Sequence, residues 1–311
     1  MVRLHDRPLM ITSSSQIFPI GIGTFGLGAN PTESGAVEVH ANQEDELQTL
    51  LYGFGQGQNY IETTYHYAEG ETLKFLAKFL SKIPREKIFV TAKLFKPFTT
   101  QSEVEEQVEL TLTGLGLDYV DSLSCTPVTL AGKISLEEAY TLMKSQTDAG
   151  KSRYLGGSNL NLEKLKRIKA MGIQLFVMEG LYNLECKMNE DLGIIDYANK
   201  NYILFAAYQP LRRNRTANRH YPIVDRLVEK YQVTPNQILI NWLTKHKKMF
   251  ILLRAGGIKH VKENLAALDF SMELGDYMEL DRFRNREFEK FEIDWDNRGG
   301  TPIYMVPNLL P

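Results

Sequence analysis

The chain has few of the residues that cross-link or anchor a protein. Only Cys125 and Cys186 occur among 311 residues, too few for a disulfide scaffold or a cysteine-based zinc site. No apolar run approaches the roughly 18 residues that a membrane-spanning helix needs. The N-terminal stretch "MVRLHDRPLMITSSS" lacks the sustained apolar segment of a signal peptide. These absences favour a reducing, cytoplasmic location.

An excess of charge of one sign is also missing. The formal net charge is −2, which argues against nucleic acid or a membrane surface as the main partner. Hydrophobic residues make up 43% of the chain and charged residues 24%, enough for a large core. The length suits one α/β barrel, which takes about 200–400 residues. No Pro/Gly/Ser-rich linker divides the chain, so one domain is predicted over residues 1–311.

Short apolar runs typical of strands recur along the chain. Several are nearly continuous, such as "LFVM" and "YILFAA", as expected for strands of a parallel sheet that are buried on both faces. The predicted strands are Pro19–Thr24, Tyr60–Thr64, Ile88–Lys93, Tyr119–Cys125, Arg153–Gly157, Leu175–Leu181, Tyr202–Ala207 and Phe250–Leu253.

The segments between these runs have helical spacing. Leucines and phenylalanine at 47, 50, 51 and 54 follow the i, i+3, i+4, i+7 pattern. Capping boxes begin at Thr100 and Ser135, and Thr234 precedes a proline at the first helical position. Eight strands, each followed by a helix or loop, predict a closed (β/α)8 TIM barrel, with an open doubly wound sheet as the alternative.

One motif favours the alternative. Gly21-Ile-Gly23-Thr-Phe-Gly26 matches the G-x-G-x-x-G of dinucleotide-binding Rossmann domains. A helix should begin at once in that fold, yet the following "LGANPTESGAVEVHAN" contains a proline and two more glycines. The first good helical pattern starts only near Glu44. These glycines are therefore interpreted as a tight turn at a barrel mouth.

Seven segments in order resemble the aldo-keto reductase superfamily over about Phe18–Leu274. Among them, "NYIETTYHYAEGE" resembles the family signature G-x-x-x-D-T-A-x-x-Y-G-x-x-E, and "GKSRYLGGSNL" is similar to GKVRYIGVSNF. The segments are "FPIGIGTFGLG", "NYIETTYHYAEGE", "IFVTAKL", "LGLDYVDSL", "GKSRYLGGSNL", "AAYQPL" and "RAGGIKHVKENLAALDF". The resemblance implies a TIM barrel with NAD(P)H extended across its C-terminal mouth, and hydride transfer to an aldehyde or ketone.

The family's catalytic tetrad of Asp, Tyr, Lys and His carries over only in part. The tyrosine falls on Tyr67 and the lysine on Lys93, whereas Glu62 stands at the aspartate position. Thr126 stands at the histidine position, or Cys125 if the loop is one residue shorter. The resemblance assigns the catalytic roles to Tyr67, Lys93, Glu62 and Thr126.

The chemistry explains these residue types. Hydride attack leaves negative charge on the carbonyl oxygen, which needs a proton donor. A free phenol has a pKa of about 10, and a nearby ammonium lowers the pKa of a phenol; this role is expected of Lys93 beside Tyr67. Glu62 keeps the lysine charged and aimed. Thr126 offers one hydroxyl and no titratable group. The family's steroid double-bond reductases are also altered at this position and transfer hydride to an activated C=C bond, so the resemblance leaves such a bond open as the acceptor.

The resemblance also implies a cofactor site. Ser158 and Asn159 match the pair that holds the nicotinamide amide, Glu179 stands where the family has glutamine, and Tyr208 matches the aromatic that stacks on the ring. The other implied cofactor residues are Gly23, Thr24, Gln209, Leu211, Arg212, Arg254, His260, Glu263 and Asn264.

The choice between NADP and NAD depends on one segment. Arg254 occupies the lysine position for the adenosine 2′-phosphate, with possible help from Lys259, while Ala255 and His260 replace a serine and an arginine. NADPH is slightly favoured and NADH stays possible.

The partner is expected to be a small-molecule carbonyl substrate, with no nucleic acid or membrane; the oligomeric state is open. The second hypothesis is a catalytically weak barrel that binds nucleotide or a partner protein. A third class, a barrel lyase or isomerase, would need a metal-ligand cluster or a second base, and the sequence shows no ligand cluster.

Alternation along an extended backbone predicts Tyr65 on the side of Tyr67 and His66 pointing away. The tail from about residue 285 to 311, with Trp295, Tyr304 and Met305, is interpreted as a cover over the pocket or an interface segment.

Overall fold

The computed structural model describes residues 9–12, 15–31, 36–127, 129–130 and 134–285. The predicted covering tail beyond residue 285, with Trp295, Tyr304 and Met305, lies outside these ranges. Within them, no helix combines the length and the apolar composition needed to cross a membrane.

The strands of the described ranges form one closed barrel and two small hairpins. The strands are β1 Leu9–Thr12, β2 Ser15–Ile17, β3 Ile20–Gly23, β4 Ala29–Pro31, β5 Val37–Val39, β6 Tyr60–Thr64, β7 Phe89–Lys93, β8 Val120–Cys125, β9 Ser152–Ser158, β10 Leu175–Leu181, β11 Leu204–Tyr208 and β12 Met249–Leu253. The barrel order is β10-β11-β12-β3-β6-β7-β8-β9. β1 pairs antiparallel with β2, and β4 with β5.

The predicted barrel is confirmed. All eight predicted strands are barrel strands, with ends that differ by at most two residues, and neighbouring strands such as β7 and β8 pair in parallel. Gly21 and Gly23 lie in β3 and Gly26 in the turn after it, at φ 74°. Among the described residues no helix begins between β3 and Gln43, and the barrel is closed, so the doubly wound alternative is wrong.

Helices follow most of the barrel strands. They are α1 Gln43–Gly55, α2 Glu71–Leu80, α3 Gln101–Leu115, α4 Leu136–Asp148, α5 Leu162–Ala170, α6 Met188–Asp191, α7 Ile194–Lys200, α8 Arg215–Asn218, α9 Pro222–Tyr231, α10 Pro235–Leu243, α11 Ile258–Ala266 and α12 Leu274–Arg282. Both predicted capping boxes are confirmed, at the N-termini of α3 and α4, and the predicted cap Thr234 also forms a capping box with Gln237 at the start of α10. Each satisfies backbone N–H groups that have no partner inside the helix.

Internal contacts divide the chain into two compact units. Of the described residues, the first unit holds those up to Gly23, Asn42–Ile61 and those from Gly180 onward. Its core includes the fully buried rings of Trp242 and Phe250. The second unit holds Thr24–Ala41 and Glu62–Glu179. Its core includes aromatic rings at Phe75, Phe79, Phe98 and Tyr140. The single-domain expectation stays a prediction.

Candidate active site

Three polar side chains meet at the ends of β6 and β7 in the second unit. The Lys93 ammonium donates to the Tyr67 Oη atom at 3.0 Å and forms an ion pair with the Glu62 carboxylate. The Tyr67 hydroxyl lies 3.3 and 3.4 Å from the two Glu62 oxygens. Lys93 is the last residue of its strand, and its side chain is only 12% exposed. A buried ammonium is stable there because carboxylates neutralise it.

A strained turn aims Tyr67 at this lysine. The short 3-10 helix Tyr67–Gly70 follows β6, and Ala68 and Glu69 adopt left-handed conformations at φ 49° and 51°. Such a conformation costs a non-glycine residue about 1–2 kcal/mol. The Tyr67 ring packs edge-on against Phe25 at 5.3 Å between centroids. Phe25 is 41% exposed, so an apolar surface is available beside the phenol.

The neighbours of Tyr67 correct one sequence interpretation. The chain leaves the strand at Thr64, and His66 has helical dihedrals of −59° and −20°. The alternation of an extended backbone therefore does not reach Tyr65 and His66, and the side assignment loses its premise. Tyr65 stacks on Phe95 at 4.8 Å between centroids. His66 is exposed.

Glu179 is a further partner of Lys93 that the motif comparison did not reveal. It lies in β10, where all seven residues are buried, and its Oε2 atom is 3.3 Å from the Lys93 Nζ atom. Burial raises the pKa of Glu179 to about 7; the charge of Lys93 opposes this shift and that of Glu62 adds to it. A carboxylate on a strand buried on both faces needs a cation, so the sequence signals a buried ion pair at Glu179 without identifying Lys93 as the partner.

Thr126 belongs to a local turn. Its N–H donates to the Thr129 hydroxyl at 2.8 Å, and its own hydroxyl accepts from the Thr129 N–H at 3.3 Å. Cys125 is fully buried, its thiol donates to Tyr140 on α4 at 3.1 Å, and burial raises the pKa of this thiol to about 12. A thiol in that state offers neither a base nor an acid near neutral pH.

Two of the predicted nicotinamide residues, Ser158 and Asn159, are buried in the second unit. The Asn159 N–H donates to the Glu179 carbonyl oxygen at 2.8 Å, and the Asn159 amide donates to the Ser158 hydroxyl at 3.2 Å. Asn159 has φ 55°, so the chain turns sharply where β9 ends. The Thr24 hydroxyl donates to the Glu62 carbonyl oxygen at 2.8 Å, which joins another predicted cofactor residue to the strand of the tetrad carboxylate.

In the first unit, Tyr208 is the last residue of β11, and the loop after it carries Gln209, Leu211 and Arg212. Arg212 is 4% exposed, and its guanidinium forms an ion pair with Glu185, which is also buried. Tyr221 and Arg219 bind the same carboxylate, at 2.9 and 3.4 Å. Burial lowers the pKa of Arg212 to about 10. Arg212 lies in the predicted phosphate loop, but its guanidinium is buried and paired with Glu185.

The segment from Arg254 to the start of α11, in the first unit, carries groups that could bind an anion. A Cβ atom built at Gly256 or Gly257 would meet nothing within 4 Å, and the first turn of α11 holds no acidic side chain. The first N–H groups of a helix attract anions. Arg254 precedes the two glycines and lies 3.5 Å from Glu46. His260 is 3.7 Å from Glu263, and Asn264 follows in the same helix.

The described residues offer no arrangement of the kind that a metal ion requires. Among the residues that the structure describes, no group of three or more His, Cys, Asp or Glu side chains is arranged to hold a metal ion.

Comparison with known proteins gives matches along most of the chain. The model of the aldo/keto reductase family matches residues 19–285, a range that contains every candidate catalytic and cofactor residue. Methylglyoxal reductase YeaE of Escherichia coli (strain K12) is 24% identical over 284 residues, covering 90% of this chain and 95% of its own. The NADH-specific methylglyoxal reductase of that organism is 22% identical over 313 residues, covering 85% of this chain and 94% of its own.

A solved structure gives the same result. An aldo/keto reductase from Klebsiella pneumoniae, in complex with NADP and acetate, superposes with a TM-score of 0.75 at 25% identity. The superposition covers 86% of this chain and 92% of that one.

Proposed function

This chain belongs to the aldo/keto reductase family, and from that premise we propose that it reduces a small-molecule carbonyl compound with NAD(P)H, Tyr67 being the proton donor. The observation that carries the proposal is the hydrogen-bonded group of Tyr67, Lys93 and Glu62, with 3.0 Å between the ammonium and the phenol. An exposed aromatic surface at Phe25 lies beside that phenol.

The residues of this group have distinct roles. When bound, the nicotinamide cofactor supplies the hydride. The Tyr67 hydroxyl donates its proton to the carbonyl oxygen, which becomes an alcohol, and water later returns a proton to the phenolate. Lys93 stabilises the phenolate electrostatically while that charge exists. Glu62, at the position that the family resemblance assigns to aspartate, holds the ammonium in place through their ion pair.

Each unit contains donors that suit a part of the cofactor. In the second unit, the buried amide and hydroxyl of Asn159 and Ser158 match the hydrogen-bonding capacity of a carboxamide. In the first unit, Arg254 and the open N-terminus of α11 match a phosphate. Arg212 has its guanidinium on Glu185, so we assign the main phosphate contact to Arg254.

Replacement of Arg254 by alanine is expected to weaken NADPH binding about tenfold and to leave NADH binding nearly unchanged. The reason is that a charge-assisted contact to the 2′-phosphate exists only with NADPH, and such a contact contributes about 1.5–3 kcal/mol. Fluorescence titration with each cofactor gives the two dissociation constants.

The matched control is Lys248→Ala, which removes one positive charge from the other end of β12, where Lys248 donates to the Asn199 carbonyl oxygen. It should change neither dissociation constant. Equal weakening of NADPH and NADH by Arg254→Ala would contradict a 2′-phosphate contact and favour NADH as the natural cofactor.

The proposed activity is tested by the oxidation of NADPH and NADH in the presence of a substrate panel. The panel contains methylglyoxal, aliphatic and aromatic aldehydes, a ketone and an α,β-unsaturated carbonyl compound. We expect turnover of at least one aldehyde. Absence of cofactor binding at millimolar concentration would exclude the proposal.

A catalytically weak nucleotide-binding barrel is the second candidate. The turn that holds Thr126 favours it, because the hydroxyl at the position of the family's histidine already bonds to Thr129. Cofactor binding without turnover of any panel member would support this candidate, and turnover of the unsaturated compound alone would assign hydride transfer to a C=C bond.

A further inference from the structure

Lys93 is flanked by more negative charge than it can neutralise. Glu62 and Glu179 both reach its ammonium, and the three side chains are 12% exposed or less. With both carboxylates ionised, the buried group would carry a net charge of −1, which is costly where water is excluded. A proton bound by one carboxylate removes this excess.

Glu179 is the member of the pair with the stronger reason to hold that proton. Its Oε1 atom is buried and has no hydrogen-bond partner among the described residues, so the ionised form lacks compensation on that side. It is also the more buried of the two carboxylates, at 1% exposure against 5%. The raised pKa of Glu179, about 7 with burial as its main cause, agrees with this assignment.

Small residues on the strands between them allow the two charges to meet. In the register, Lys93 pairs with Ser124 of β8, Ser124 pairs with Gly156 of β9, and Glu179 of β10 pairs with Ser158. A Cβ atom at Gly156 would lie 2.4 Å from the Ser124 hydroxyl oxygen. At these register positions β8 and β9 carry two serines and a glycine, and among the described residues the charged groups that act on Glu179 are Lys93 and Glu62.

We propose that Glu179 is a positioning residue whose protonation decides whether the charge of Lys93 acts on Tyr67. In the protonated form, Lys93 faces one carboxylate and one phenol, and its positive charge supports the phenolate. When Glu179 loses its proton to water, the second carboxylate cancels this support and the phenol becomes a weaker acid. The inference rests on the proposed function for its effect on rate, but its effect on the phenol is independent of any reaction.

The sign of the pH dependence follows. Glu179 is protonated below a pH of about 7 and ionised above it. We expect kcat/KM for carbonyl reduction to fall as the pH rises through about 7, and this fall should be absent in Glu179→Gln, whose amide has the shape of a protonated carboxyl group and no titration. A wild-type profile without this fall would overturn the proposal.

A second measurement needs no substrate. The phenolate absorbance of the cofactor-free protein, taken as the difference from Tyr67→Phe, reports the ionisation of Tyr67 alone. Glu179→Gln should lower the pH midpoint of Tyr67 ionisation by about one unit. The reason is that the phenol of the wild type titrates above a pH of about 7, where Glu179 is ionised. Coincident midpoints in wild type and Glu179→Gln would refute the electrostatic role. For Glu179→Gln, the absorbance of the double variant Tyr67→Phe/Glu179→Gln is subtracted in the same way, so that the difference again reports Tyr67 alone.

The outcomes separate this inference from the proposed function. A shifted phenol midpoint in a protein that turns over no carbonyl compound supports the inference and contradicts the reductase. Turnover of a carbonyl compound, with the same phenol midpoint in wild type and Glu179→Gln, supports the reductase and contradicts the inference about Glu179. If Glu179→Gln fails to fold, the wild-type rate profile still decides, because it uses the unaltered protein.

Discussion

Replacement of Tyr67 by phenylalanine is expected to lower kcat/KM for carbonyl reduction by about 10³-fold, within the 10²–10⁴-fold range of general acid catalysis. The variant keeps the ring that packs against Phe25, so the change removes only the hydroxyl group. Cofactor affinity should stay unchanged, since no cofactor contact is assigned to this phenol. Steady-state kinetics with the best substrate of the panel, together with fluorescence titration, measures both effects.

Tyr65→Phe is the matched control. It removes a hydroxyl two residues away and keeps the stacking of the ring on Phe95. It should retain most of the activity. Equal rates for wild type and Tyr67→Phe would show that another group donates the proton, whereas similar losses in both variants would point to a general disturbance of the turn.

Replacement of Lys93 by methionine is expected to destabilise the fold by about 3–5 kcal/mol, because it leaves two buried carboxylates without their shared cation. The melting temperature should drop by roughly 5–15 °C. Activity should fall as well, since Tyr67 loses the ammonium 3.0 Å away. Chemical denaturation and thermal melting of both proteins at neutral pH measure the loss.

Two variants make this test specific. Lys96→Met removes an ammonium three residues along the chain, where the ion pair with Glu106 is 44% and 57% exposed; such surface pairs contribute about 0–1 kcal/mol. The double variant Lys93→Met/Glu179→Gln should recover part of the lost stability, because only one carboxylate stays buried. A loss no greater than that of Lys96→Met would mean that water reaches the site and screens its charges.

The stability of the fold is also expected to depend on pH through Glu179. The folded protein binds a proton at Glu179 with a pKa of about 7, whereas the ordinary value is 4.5. Since the folded state holds this proton more tightly, the contribution of Glu179 to stability decreases as the pH rises from about 4.5 to about 7. Comparison with Glu179→Gln isolates this contribution.

The sequence by itself determined the eight strands of the barrel, to within two residues at each end, and where several helices begin. Continuous apolar runs specify strands buried on both faces, and capping boxes such as Thr100-Gln-Ser-Glu103 specify where helices begin. These signals are local: each depends on residues within one turn or one strand. For the same reason the resemblance identified the family from short segments, and Lys93 was recognisable as an unusual charge at the end of an apolar strand.

The partners of the charged residues were decided only by the tertiary structure. Glu179 meets Lys93 because strand register and the small side chains of Ser124 and Gly156 leave space between them, and Arg212 turns inward to Glu185. These contacts join residues far apart in the chain, and each depends on what the intervening strands carry. Local patterns hold no such information, because the free energy of a buried charge is set by every group around it in space.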